Sequence, residues 1–285
     1  AVPFTPVTGP RLFVKSNFDR QNVEKILIEK AQIQCQSLGA SSLHITFSEK
    51  GEWERLGQIG LLQRIGQQFH WLNNDYRSFD DFLQTLSSRK RKMVRKERAE
   101  ALKEAISIEH VTGSDITECH WDSLFEFYMD TGSRKWGRPY LNRQFFSEIG
   151  ETLNKECLLI FASRGGRRIA GALHLLGGNC LYGRYWGSIE NIPYLHFELC
   201  YYQAIDHAIS HKLARVEAGA QGEHKLLRGY IPRTTYSCHW FSDPVLQKGV
   251  EAFLEKEREV VEENNQILNA FTPFKKDNHI KDDNY

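Results

Sequence analysis

Residues 157–187 read C-L-L-I-F-A-S-R-G-G-R-R-I-A-G-A-L-H-L-L-G-G-N-C-L-Y-G-R-Y-W-G. Three apolar runs, 157–163, 167–176 and 180–187, are divided by Gly165-Gly166 and by Gly177-Gly178-Asn179. Glycine accepts the positive φ that tight hairpin turns demand, so apolar runs separated by two or three such residues predict an antiparallel meander. Upstream, 106–111 reads as a strand. It is followed by a helix through Trp121, Leu124, Phe125 and Tyr128 and by another through Phe145, Phe146 and Ile149. Downstream, Phe197, Tyr201, Ala204, Ile205 and Ala208 mark one face of a helix over 196–211. Strand 213–218, a loop, strand 234–241 and a helix from Asp243 complete the order β-α-α-β-β-β-α-β-loop-β-α. That order predicts an α/β (α+β layered) domain whose central sheet is mainly antiparallel and flanked by helices.

The first eighty residues repeat the alternation of types without repeating the sequence. A helix over 19–38 carries Val23, Ile26, Leu27 and Ala31 at helical spacing, and Gly39 follows where a helix stops. Strands at 42–47 and 64–73 flank a helix bearing Trp53 and Leu56. Ser78 is the expected N-cap of a long helix with Phe79, Phe82, Leu83 and Leu86 as its stripe.

Composition sets the outer limits. A chain of 285 residues with 41% apolar side chains has material for one large core or two medium ones. Its formal net charge of +1 gives no global field toward a polyanion, so any phosphate contact needs local clustering. Six cysteines lie far apart, with no Cys-x-x-Cys, and read as buried reduced thiols; the expected compartment is the cytoplasm. No apolar stretch is long enough to span a bilayer.

Chemistry concentrates at 215–230, R-V-E-A-G-A-Q-G-E-H-K-L-L-R-G-Y, with two carboxylates, one imidazole, three cations and three glycines. Glu217, at the carboxyl end of its strand, is a candidate general base whose pKa partial burial would raise. Glu223 and His224 are rival bases, and Lys225 and Arg228 are candidates to hold an oxyanion or a phosphate. Gln221 shares the loop and is a candidate substrate contact. The competing reading is that Glu217 simply pairs with Arg215 or Arg228.

Elsewhere, Arg184, Tyr185 and Trp186 close the third meander strand, Arg184 and Trp186 sharing a face, and are candidates to grip a ring or an acyl chain. The segment 134–139 offers a similar mixture as a substrate lip. His196 and Glu198 begin the next helix, and His207 and His211 stand at i,i+4 without the further carboxylate of a zinc-protease motif, so no metal is expected. Arg89, Lys90, Arg91, Lys92, Arg95 and Lys96 belong to a run of seven cations in ten residues, a surface suited to phosphate or simply to water. Those cations would surround a helix axis, leaving no core face. No Walker loop, Gly-x-Gly-x-x-Gly or Gly-x-Ser-x-Gly is present, which disfavours nucleotide hydrolysis, dinucleotide binding and serine hydrolysis.

The stretches S-S-R-K-R-K-M-V-R-K-E-R from Ser87, G-R-Y-W-G from Gly183, H-F-E-L-C-Y-Y-Q-A-I-D from His196 and V-E-A-G-A-Q-G-E-H-K from Val216 together resemble the FemAB-like branch of N-acyltransferases, a peptidoglycan biosynthesis or recognition family. The resemblance covers nearly the whole chain, and E-A-G-A-Q-G-E-H-K is its most specific part. It implies a GNAT-like fold in a Fem-type tandem arrangement whose first half is incomplete at its N-terminus. The expected divisions are 1–87 as the remainder of that half, 88–270 as the second half with its C-terminal helix, and 271–285 as a disordered tail.

Wider Fem-type enzymes transfer amino acids from aminoacyl-tRNA to the amine of a peptidoglycan precursor, so the resemblance implies an N-acyltransferase with an amine-bearing acceptor and tRNA as a possible donor carrier. GNAT proteins that use acyl-CoA carry a Gln/Arg-x-x-Gly-x-Gly/Ala loop after the meander, whereas this chain has G-S-I-E-N-I-P-Y from Gly187. The expectation is therefore no tightly bound cofactor, with aminoacyl-tRNA or an acyl thioester as donor. The alternative is a non-catalytic module that recognises a cell-wall peptide or an RNA in the same cleft.

Overall fold

A computed structural model describes residues 6–134 and 139–275. The chain opens with α1 (Arg20–Ser37), β1 (Ser42–Ser48), α2 (Lys50–Gln58) and β2 (Leu62–Leu72). Next come α3 (Phe79–Thr85), α4 (Ser88–Ala101), β3 (Ile106–Thr112), α5 (Glu118–Arg134) and α6 (Arg143–Thr152). The meander is β4 (Cys157–Arg164), β5 (Arg167–Gly177) and β6 (Cys180–Ser188). It is followed by α7 (Leu195–Phe197), a π turn over Glu198–Tyr202, α8 (Gln203–Ser210), β7 (Arg215–Glu217), β8 (Ile231–Phe241) and α9 (Pro244–Ala270). The order from β3 onward is the one the sequence predicts.

Two compact units share these elements, one built from 6–68 and Pro232–Phe271, the other from Phe69–Ile231 and 272–275. They do not divide at the expected 87/88. The chain's end returns to its start because β8 pairs antiparallel with β1, Ser42 opposite Phe241 and Thr46 opposite Ser237. Arg64 of β2 also donates to both carboxylate oxygens of Glu257 of α9, at 2.7 and 2.8 Å.

In the first unit, Asp19 caps α1 by accepting from the Gln21 and Asn22 amides. The face that α1 buries differs from the expected stripe. Glu24, Ile28 and Cys35 point inward, while Ile26 and Leu27 are 45% and 40% exposed. Glu24 is tolerated there because Arg55 of α2 holds both its oxygens, at 2.7 and 2.9 Å. Ile28, Leu56, Leu61 and Cys238 form the small core.

In the second unit the strand order is β2-β7-β6-β5-β4-β3, antiparallel at each pair except β6 with β7. Gly165 and Gly166 turn at φ 59° and 80°, values that would strain any residue with a Cβ, and this secures the β4–β5 hairpin. The larger core lies between α5, α6 and the meander, where Trp121, Leu124, Phe127, Phe146, Leu159, Phe161 and Leu173 are buried together. Each such side chain contributes roughly 1.5–3 kcal/mol of burial. Gly187 lets α5 rest directly on β6, since a Cβ there would lie 2.0 Å from the Phe127 carbonyl oxygen.

The expected long helix after Ser78 is two helices. Ser78 does cap α3, accepting from the Asp81 amide, but the chain breaks at Leu86 and Ser87. There the backbone pairs with 273–275: the Ser87 amide donates to the Pro273 carbonyl at 2.8 Å, and that of Lys275 to Thr85 at 2.9 Å. Residues 272–275 of the expected tail are thus ordered, and 276–285 lie outside the described residues.

Four of the six cysteines are buried, but Cys119 is exposed and Cys200 half-buried, so the expectation of uniformly buried thiols fails at these two. Among the described residues no helix is long and apolar enough to cross a membrane.

Candidate active site

The parallel pair β6–β7 holds together over three rungs, Cys180 with Arg215, Leu181 with Val216 and Tyr182 with Glu217. Beyond them the chain keeps its bonds to β2: the Ala218 amide donates to the Phe69 carbonyl at 3.1 Å and the Phe69 amide to the Gly219 carbonyl at 3.0 Å. Following β2 draws it away from β6, and a cleft of about 130 Å³ opens between the strands' carboxyl ends. Crevices of this kind, where parallel neighbours part, are the usual ligand sites of α/β sheets.

One wall is Leu173 and His174 of β5 with 183–186 of β6; the other is His196, Cys200 and Tyr201, and Ala218 forms the rim. The π turn that presents Cys200 and Tyr201 departs from ordinary helical bonding, as helices often do at functional sites.

The structure brings Arg184, Tyr185, Trp186 and His196 to this cleft, as the sequence suggests. Their faces need one correction. A register shift between Leu173 and His174 sets Leu173 opposite Tyr185 and His174 opposite Gly183, making Arg184 the extra residue of a bulge. Its guanidinium lies 4.7 Å over the Tyr185 ring and donates to the Tyr140 hydroxyl at 3.2 Å, so its head group sits with these two tyrosines. Tyr185 shares a 2.8 Å hydrogen bond with Tyr140 and packs on Tyr128, and burial raises its pKa. Trp186 meets the His196 ring at 5.1 Å.

The loop candidates fare differently. Glu217 is 5% exposed, and its carboxylate accepts from Arg215 Nε at 2.8 Å and from the Cys180 thiol at 3.6 Å, with His70 Nε2 3.8 Å away. The competing ion-pair reading therefore describes its contacts. Glu223 and Gln221 are exposed.

His224 stands one step behind the cleft, its Nε2 3.1 Å from the hydroxyl of Tyr201 and its ring 5.3 Å from Phe197. Burial, with Arg228 and Lys225 adding to it, lowers its pKa. Lys225 is buried; its ammonium donates to the carbonyls of Ala218 and Gly219, and desolvation brings its pKa down to about 8. It holds the loop at the cleft's rim.

Arg228 is spoken for on every side. It donates to both oxygens of Glu97 at 2.7 and 3.0 Å and to the His224 carbonyl at 2.6 Å, and lies 3.5 Å over Phe197. Glu198 is fully buried, pairs with Arg98 at 2.9 Å and accepts from Gln203 at 2.7 Å. Its pKa is raised, desolvation outweighing Arg98.

These pairs also revise the basic helix, which does have a core face: Val94 and Ala101 are fully buried, Glu97 is 6% exposed, and Arg98 turns inward. Arg89, Lys92, Arg95 and Lys96 are exposed, and Lys90 and Arg91 half-buried. Arg95 pairs with Asp80 at 2.7 Å, and Arg91 donates to Gln84 at 2.7 Å. Lys135, Trp136, Gly137 and Arg138 of the expected lip lie outside the described residues.

Residues that sequence reasoning passed over are His174, Cys200 and Tyr201. His174 was legible only as one titratable side chain inside the apolar strand run 169–176. His207 and His211 stack at 3.9 Å. Among the described residues no group of three or more His, Cys, Asp or Glu side chains is placed to hold a metal ion.

Several solved structures share this architecture. The crystal structure of FemX superposes with a TM-score of 0.56 at 12% identity, covering 88% of this chain and 85% of that one. L-PGS from Bacillus licheniformis gives 0.55 at 10%, covering 81% and 78%. A tandem GNAT protein from the clavulanic acid biosynthesis pathway gives 0.53 at 12%, covering 84% and 76%. At such identities the likeness concerns the fold alone, which is GNAT-like. No curated protein matches the chain by sequence. The profile of one family matches residues 1–276, almost the entire length, and the chain therefore belongs to the FemAB-like family, described as peptidoglycan biosynthesis/recognition.

Proposed function

We propose that this protein is an N-acyltransferase that moves an acyl or aminoacyl group onto an amine acceptor, a peptidoglycan-related peptide, in the cleft between β6 and β7. The observation that carries the reading is the parting of those strands after three rungs. It leaves the β6 segment 183–186 facing an opening lined by aromatic and imidazole groups. Backbone amides freed from a strand partner can hold a donor's carbonyl, and Trp186, Tyr201 and His196 offer flat faces to the acyl group and the acceptor. The family, described as peptidoglycan biosynthesis/recognition, supports the same reading, and the fold shared with FemX and the tandem GNAT protein is compatible with it.

The exposed cations Arg89, Lys92, Arg95 and Lys96 suit a tRNA-borne donor, and an acyl thioester is the other donor class. Amine attack on an activated acyl carbonyl needs the reactants held together and one proton removed, and neither demands a resident cofactor. Activity is expected inside the cell, where both donor classes are made. One observation favours the alternative of a recognition module for a cell-wall peptide or RNA: Glu217, Lys225 and Arg228 are all engaged within the protein.

A donor screen separates the two. Acyl-CoA, aminoacyl-tRNA and acyl carrier protein, each with a peptide bearing a free side-chain amine, are followed by mass spectrometry of the acceptor. Acylated peptide from one donor is expected. Peptide binding without acylation by any donor would turn the assignment to recognition.

A further inference from the structure

Helix α9 turns a row of large apolar side chains outward. Leu246, Phe253, Val260 and Ile267 are 48%, 61%, 63% and 49% exposed, while the buried members of the helix are Leu254, Asn265 and Leu268. The four exposed residues stand seven apart in sequence. Residues seven apart on a helix lie almost above one another and drift by only about 20° each time, so the four form one stripe that winds slowly to the left. Such a stripe fits a second helix of the same repeat, wrapped against it at about 20°.

The extent of the face suits a modest interface. A helix of 27 residues is about 40 Å long, and a face about 10 Å wide along it presents roughly 400 Å² in projection. With interdigitating side chains, two such faces approach the lower end of specific interfaces, about 1,200 Å² in total.

The residues beside the stripe identify the second helix. Lys256 and Glu263 flank it on one side, both exposed, four residues before Val260 and three after it. If two copies of α9 run antiparallel about a twofold axis at Val260, Lys256 of each copy meets Glu263 of the other to within one residue of register. The same axis sets Phe253 against Ile267, each seven residues from Val260. It also sets Phe271, 70% exposed, against Gly249, each eleven residues away, and a Cβ at Gly249 would meet nothing within 4 Å. A large ring thus finds a position without a side chain. On the other flank Glu257, held by Arg64, comes opposite the exposed amide of Asn264.

We propose that α9 joins two copies of this protein through an antiparallel pairing of these stripes about Val260, an inference that does not depend on the acyltransferase reading. The contact is isologous, each copy giving and receiving the same residues, so it closes at two. A lipid surface suits the helix poorly. α9 holds six glutamates against three lysines and arginines, whereas helices that lie on anionic membranes are rich in basic residues.

Sedimentation velocity of the full chain over about 1–300 µM tests this. The parent is expected to pass from monomer to dimer with a micromolar Kd, as an interface of this size gives. Val260→Asp places two carboxylates on the axis and is expected to weaken association about 100-fold, with the urea unfolding midpoint unchanged because the site is exposed. Lys256→Glu and Glu263→Lys are each expected to weaken it about threefold or more, and the two together to restore the parent's Kd. A parent that stays monomeric throughout overturns the proposal, and flotation with phosphatidylcholine vesicles that Phe253→Asp abolishes would then give the stripe to a lipid surface. A dimer that Val260→Asp leaves as tight as before overturns α9 as the contact. A double charge variant no tighter than the singles overturns the antiparallel register.

Discussion

The loop 215–230 and the wall made by β5, β6 and the π turn border the same cleft and are built on opposite principles. The loop carries two carboxylates, an imidazole and three cations. Glu217 goes to Arg215, Lys225 to two carbonyls, Arg228 to Glu97 and His224 to Tyr201. The wall sets its ionisable groups among aromatic rings, Tyr185 on Tyr128 and His196 beside Trp186, and holds one buried imidazole, His174, whose Nδ1 has no hydrogen-bond partner. Charge density in the loop marks where the chain must be held in an unusual path. Gly219, Gly222 and Gly229, at φ 77°, 97° and 92°, show how unusual the loop's path is.

The largest effect that can break this comparison lies beneath the loop. Glu97 and Arg228 are 6% and 4% exposed and held bidentate, so Glu97→Ala leaves a buried guanidinium without its counter-ion. A loss of about 3–5 kcal/mol of stability is expected by urea unfolding. Replacing both partners with Leu is expected to recover most of it, since no lone charge then remains. A single variant as stable as the parent would mean that the loop's charges are not its scaffold.

Next in size is a pH effect from the other region. His174 is pushed down to about 4 from the ordinary 6.5 by burial, so the unfolded chain binds its proton first as pH falls. Stability is complete above pH 6.5 and drains away as pH drops toward 4, by roughly 3 kcal/mol at about 1.4 kcal/mol per pH unit. His207, lowered to about 3, adds to the same slope. Urea midpoints across this window are expected to fall less steeply in His174→Asn than in the parent. Parallel slopes would show that the ring is not held neutral and would sharpen the case for a solvated cleft.

Much of the second unit was legible because its rules are local. Gly-Gly turns force hairpins, and apolar runs between them have no choice but to be strands, so β4 to β6 fall where the sequence places them. Cap chemistry was equally readable at Ser78. The misses come from partners distant in sequence. Nothing near α1 announces that Arg55 will draw Glu24 inward in place of Ile26 and Leu27, or that 272–275 will split α3 from α4.

The site divides the same way. Arg184 to Trp186 and His196 were visible as residue types, but the bulge at Arg184 depends on register with β5, and the burial of His174 without a partner for its Nδ1 depends on the elements packed over that strand. A lone histidine in an apolar run is usually a satisfied core residue. Only coordinates distinguish the exception.

The smallest effect sharpens the comparison most. Glu223 is exposed, so Glu223→Gln is expected to shift the unfolding free energy by no more than about 0.5 kcal/mol. If the loop's charges are scaffold and solvent, transfer by this variant should match the parent within a factor of two or so, a change worth about 0.4 kcal/mol in barrier. Suppose instead that stability is untouched while kcat falls a hundredfold. An exposed carboxylate can matter to the chemistry that much only if substrate binding folds the loop over the cleft and carries Glu223 to the amine. The base would then arrive with the substrate, and the loop and the wall would be two halves of one closing site.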